Sequence, residues 1–195
     1  MLQIDLGLPH SYEIREVREL PGAGGWDIPV IYFPRIMNRP ERDGVWLEVH
    51  PAAGRPWIGV FGFGGLTFSR VASSPHPERI CIVSNGAGYF VSAKNPEDWE
   101  PVPLPPISDL RVVEDRSLLI FADFTRLCAY SEKGLLWRSP RVCWDELSIQ
   151  KITGDHIEGV GYDPTNSGQS PFIVDLNTGR SLIPSPLGVK GEQIW

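Results

Sequence analysis

The residue types that could do chemistry in this chain are its carboxylates, three cysteines, four histidines and a group of closely spaced glycines. Gly59, Gly62, Gly64 and Gly65 have the composition of a nucleotide loop but not its spacing. Neither G-x-G-x-x-G nor the phosphate-binding G-x-x-x-x-G-K-[ST] is satisfied, and no helical pattern follows, so a strand bend or bulge is expected there. His10, His50, His76 and His156 are far apart, and no H-x-x-H, H-E-x-x-H or C-x-x-C completes a zinc shell. No metal and no cofactor is expected. The run 163–168 (Asp-Pro-Thr-Asn-Ser-Gly) lacks the acidic third and fifth positions of a calcium loop and a later bidentate Glu, and reads as an Asx-type turn. There is no G-x-S-x-G nucleophile elbow.

Cys81 and Cys128 lie inside apolar runs, where a small buried hydrophobe is the expected role. With Cys143 the thiols number three, which cannot all pair within one chain, and there is no N-x-S/T acceptor site. A reducing, cytoplasmic setting is therefore expected. A net charge of −6 with dispersed Lys and Arg argues against a nucleic-acid partner. The start of the chain has no basic region followed by an apolar run, and no apolar stretch approaches membrane-spanning length, so no membrane role is expected.

The elements that must position any site are short. Nineteen prolines and twenty glycines without a period of three cut the chain into pieces suited to strands and turns. Alternating or continuous β-branched and aromatic runs predict strands at 28–34, 45–50, 57–63, 79–84, 88–92, 110–114, 118–122, 127–131, 135–138, 148–153, 157–162 and 172–176. The one helix expected covers residues 11–20, where Ile14, Val17 and Leu20 recur every three residues, Ser11 caps the start and Pro21-Gly22 ends the run.

The runs also repeat. Laying 79–99 over 117–137 puts Cys81 on Leu119 and Trp99 on Trp137, both 38 residues apart. A third copy places Glu158 39 residues after Leu119, and a weaker one lies upstream around Trp57. In each copy a turn residue, Gly54, Pro96, Gly134 or Gly179, stands three before a large apolar residue, Trp57, Trp99, Trp137 or Leu182. A Gly or Pro sets the turn, and the residue three later is the first inward anchor of the next strand. The expected fold is therefore all-β: one domain, 1–195, of four-stranded antiparallel meanders at approximately 1–63, 64–105, 106–145 and 146–190. Such sheets must stack, as a small or open β-propeller-like arrangement or, failing that, a β-sandwich.

The stretch 127–138 (Leu-Cys-Ala-Tyr-Ser-Glu-Lys-Gly-Leu-Leu-Trp-Arg) resembles the blade signature of quinoprotein-type, PQQ-like β-propeller repeats, and 173–182, with Asp175 and Thr178-Gly179, looks like the same tail. The resemblance implies architecture only, because none of that family's quinone or calcium ligand signatures is present. It also implies that loops leaving the outermost strand and those of the central hairpin gather on one face. Those loops carry Asp123, Phe124, Trp144, Asp145 and Asp163, candidates for gripping a polar small ligand or a protein partner. The functional expectation is a non-enzymatic binding module. The alternative is a hydrolase acting on a glycan or ester with carboxylates at the same face.

Overall fold

The computed structural model describes residues 2–18, 27–34, 43–62, 64–166 and 168–183. The chain is all-β and divides into two compact units, Met1–Pro106 and Ile107–Trp195. The first holds nine strands: β1 (Gln3–Asp5), β2 (Tyr12–Glu16), β3 (Val30–Phe33), β4 (Gly44–Pro51), β5 (Trp57–Gly62), β6 (Arg70–Ser73), β7 (Arg79–Ser84), β8 (Ala87–Ser92) and β9 (Trp99–Pro101). The second holds β10 (Asp109–Val113), β11 (Leu118–Ala122), β12 (Leu127–Ser131), β13 (Gly134–Arg138), β14 (Asp145–Thr153), β15 (His156–Asp163) and β16 (Gly168–Asp175).

Each of the twelve expected runs overlaps a strand. The expected helix at 11–20 is overturned: Tyr12–Glu16 is β2, antiparallel to β4 with Ile14 opposite Val49. The spacing of Ile14 and Val17 suits a helix, but Tyr12 and Ile14 also alternate with exposed Glu13 and Arg15, a period of two. Beside β4 that period wins, because Tyr12 is buried and its hydroxyl donates to the Arg79 carbonyl at 3.0 Å. Glu19, Leu20, Pro21 and Gly22, together with Phe63, Ser167 and residues 184–190, lie outside the described residues.

In the first unit the sheet β2-β4-β5-β3 and the sheet β1-β6-β7-β8-β9 share one core. Two edges are parallel rather than antiparallel: β3 runs beside β5, and β1 beside β6, where Arg70 pairs with Asp5 at 2.8 Å. On β4, Val45, Leu47 and Val49 point inward while Trp46, Glu48 and His50 point away. Aromatic rings fill this core: Phe33 stacks on Phe61 with centroids 4.8 Å apart, and Trp57, Tyr89 and Trp99 pack around them. Gly59 makes room for them, since a Cβ there would strike the rings of Phe61 and Trp57. Gly64 likewise sits against the backbone of Gly86 and Ala87, whereas Gly65 serves its turn through a positive φ of 94°.

In the second unit the meander β10-β11-β12-β13 faces the three-stranded meander β14-β15-β16, whose outer edge is extended by a bridge from Val174 to Ser181. Ile120, Leu127, Ala129 and Trp137 of one sheet meet Ile149, Ile157, Phe172 and Val174 of the other. The two units share a register: Trp57 pairs with Val49, Trp99 with Val91 and Trp137 with Ala129. The indole N–H groups of Trp57 and Trp137 reach across their cores, donating to the carbonyls of Ala93 (2.7 Å) and Leu176 (2.8 Å), each the residue that follows a strand of the facing sheet.

Candidate functional site

The sequence-derived candidates gather at one end of the second unit, on the connections β11–β12, β13–β14 and β15–β16. Asp123 opens the first of these. Its Oδ1 accepts the backbone N–H groups of Thr125 and Arg126, both at 2.6 Å, and the Thr125 hydroxyl at 3.2 Å. This is the Asx turn for which a short carboxylate is suited. It turns the Phe124 ring outward, 40 % exposed. The Phe124 carbonyl accepts the N–H of Leu147 at 3.1 Å and faces the Cys143 thiol at 3.5 Å, while the Thr125 carbonyl accepts the N–H of Val142 at 2.9 Å. The β11–β12 turn is thereby fastened to the β13–β14 connection.

That connection carries Trp144, 42 % exposed. Its backbone N–H donates to the Tyr162 carbonyl at 3.0 Å. The Arg141 guanidinium lies 5.5 Å from the Trp144 ring centre and donates to the Trp144 carbonyl at 2.8 Å, an arrangement that holds the indole by cation–π attraction and a hydrogen bond. Asp145 is exposed and opposite Tyr162 in the ladder. Its Oδ1 accepts the N–H of Glu146, a residue held at a positive φ of 54°.

Asp163 differs from the rest. It is fully buried, with Oδ1 accepting the Thr165 N–H at 2.9 Å and hydroxyl at 2.7 Å, and Oδ2 accepting the Ser170 hydroxyl at 3.1 Å. Asp123 and Asp163 thus begin the same Asp-x-Thr turn in facing sheets, with Oδ1 of Asp123 and both oxygens of Asp163 engaged within their own loops. Phe124, Trp144 and Asp145 are the candidates that reach solvent. Sequence reasoning missed Tyr162, 41 % exposed, and Arg141. Tyr162 could have been found from period two, since Ile157, Gly159 and Gly161 are buried and Glu158 and Tyr162 between them are exposed.

Two thiols flank this end. Burial pushes Cys128 up to about 12, and burial, partly offset by the Arg141 charge, pushes Cys143 up to about 11. Both are protonated at neutral pH and poor nucleophiles. Among the described residues no three His, Cys, Asp or Glu side chains converge as metal ligands would, and no helix is long and apolar enough to cross a membrane. No protein-family model, curated protein or solved structure matches this chain.

Proposed function

We propose that the chain is a binding module that engages a protein partner through the end of the second unit bearing Phe124, Trp144 and Tyr162. The observation that carries this reading is the joint exposure of these three large aromatics, Phe124 and Trp144 on connections and Tyr162 near the end of β15, in segments tied together by backbone hydrogen bonds. Exposed aromatics on a fixed scaffold are the usual anchors of protein interfaces, because they bring large contact area at small entropic cost. Arg141, Asp145 and Glu146 supply a polar rim of both signs. The hydrolase alternative has less support, because two of its three carboxylates, Asp123 and Asp163, already accept hydrogen bonds from their own turns.

The recurrent strand–turn–Trp unit, and with it the likeness to propeller blades, is part of the same proposal. It is supported by the common pairing of Trp57, Trp99 and Trp137 with the residue eight positions earlier. Three free, buried thiols suit a reducing, cytoplasmic compartment.

A pull-down from the source cell with wild type, Trp144→Ala and Phe124→Ala tests the reading. The expected outcome is loss of partner recovery in the variants, corresponding to about 2 kcal/mol or more for a buried hot-spot aromatic. Melting temperatures should barely change, since surface substitutions usually stay within about 0.5 kcal/mol. Equal recovery by all three proteins would remove this end from the interface.

A further inference from the structure

A cleft of about 320 Å³ opens at one end of the first unit, lined by Trp46, Glu16, Thr67, Ser69 and Asn85 among others. We infer that this cleft is a binding site for a neutral, hydroxyl-rich ligand of one sugar ring.

Its two walls are built independently and held rigidly. On one side the end of β2 is tied to β4 by the Val17 N–H donating to the Trp46 carbonyl at 3.0 Å, and Tyr32 meets the Trp46 indole edge-on with centroids 6.4 Å apart. On the other side the loop 64–69 is clasped to the β7–β8 turn. Leu66 N–H donates to the Asn85 carbonyl at 2.8 Å, and Gly86 N–H to the Phe68 carbonyl at 2.9 Å. A Cβ on Gly64 would strike the backbone of Gly86 and Ala87, so loop and turn are in close contact. Asn85 takes a positive φ of 45°, as the first central residue of an Asn-Gly hairpin turn does.

The chemistry of the lining selects the ligand. Ser69 Oγ donates to Asn85 Oδ1 at 2.8 Å and accepts the Asn85 N–H at 2.9 Å. That bond orients the amide and leaves its Nδ2 as the donor. Glu16 has one oxygen on the Arg18 Nε at 2.7 Å, which balances its charge and leaves the other oxygen as an acceptor. Thr67 adds a hydroxyl, and the indole adds an apolar face with a polar edge. Among the described residues no Lys or Arg lines the cleft, and the Arg18 guanidinium beside it is paired with Glu16, so phosphates and nucleotides find little counter-charge. A donor amide, an acceptor carboxylate, a threonine hydroxyl and an aromatic wall together match a molecule presenting neighbouring hydroxyls beside a C–H face. The volume stands at the small end of ligand sites.

The test uses D-glucose, D-galactose, D-mannose and N-acetyl-D-glucosamine as probes, followed by the indole N–H resonance of Trp46, which Trp46→Phe assigns. At least one sugar should shift that resonance saturably, with a Kd on the order of 1 mM. Asn85→Gly and Glu16→Ala should each weaken binding roughly tenfold, the loss of one hydrogen bond to the ligand. Asn85→Gly should stay folded, with its melting temperature lowered by no more than the loss of the Ser69–Asn85 side-chain hydrogen bond, since glycine accepts the positive φ of this turn. Inorganic phosphate should leave the resonance in place. Absence of a saturable shift with all four sugars, unchanged affinity in both variants, or phosphate binding at Trp46 would each overturn the assignment.

Discussion

Asp123, Asp145 and Asp163 are the same residue type within one end of one unit, yet their surroundings assign them different work. Asp163 is fully buried and accepts three hydrogen bonds. Asp123 is half-buried and organises a four-residue turn. Asp145 is exposed and accepts one N–H. The cost of truncation should follow that order. Asp163→Ala should lose about 3 kcal/mol, as for removal of a buried, multiply bonded acceptor. Asp123→Ala should lose about 1 kcal/mol, comparable to a lost capping residue, and Asp145→Ala should stay within about 0.5 kcal/mol. Urea unfolding of the three variants checks the ranking, and an Asp145→Ala loss as large as that of Asp163→Ala would contradict it.

At the scale of elements, Trp137 shows how a turn and an anchor are matched. Gly179 sits at a positive φ of 71°, and a Cβ there would run into the Trp137 indole, whose N–H bonds the Leu176 carbonyl. Gly179→Ala should therefore destabilise by roughly 2 kcal/mol, combining backbone strain with overpacking. Trp137→Phe should cost about 1–3 kcal/mol by leaving a buried carbonyl without its donor. Thermal melts of both variants measure these losses, and a neutral Gly179→Ala would mean the turn relaxes away from the ring. The spacing of Gly134 and Trp137 in the β12–β13 hairpin is visible in the sequence because turn chemistry and the first inward residue are local. For the same reason the runs of β7, β11 and β12 could be read directly: all are dense in β-branched or large apolar residues. β2 could not, since apolar residues at helical spacing carry no record of β4, the strand that pairs with Tyr12–Glu16. β1, β6 and β9 are only three or four residues long, too short for a run to stand out, and β1 owes its state to β6, a partner distant in sequence. At the candidate site, Phe124 and Trp144 were readable as loop aromatics. The burial of Asp163 was not, because it depends on Ser170 folding back across the loop.

Over the whole molecule the three thiols offer a common probe, because Cys81 lies in the first unit, Cys128 and Cys143 lie in the second, and all three are buried and free. None should react with a thiol reagent in the native protein, and all three should react on unfolding; rapid native labelling of Cys81 or Cys128 would contradict their burial. The same burial sets an alkaline limit on stability. In the unfolded chain these thiols ionise near the ordinary value of 9.0, whereas folding pushes Cys128 up to about 12 and Cys143 up to about 11. Between those limits the unfolded state has released protons that the folded state keeps. The stabilisation from the neutral thiols is therefore complete below about pH 9 and is lost as pH rises towards 11 and 12. Tyr12, whose phenol burial also raises, adds a loss of the same sign that begins near its ordinary value of 10.0. The interval between pH 9 and 10 is therefore dominated by the thiols, whose ordinary value of 9.0 lies a unit below that of the phenol. Melting temperature should hold steady up to about pH 9 and then decline. Cys128→Ala should start lower at neutral pH, by about 1 kcal/mol for the lost buried atom, but decline less steeply across that interval. Tyr12→Phe should decline there as wild type does and diverge only at higher pH. An alkaline slope identical in wild type and Cys128→Ala would show that the Cys128 thiol reaches water in the folded chain.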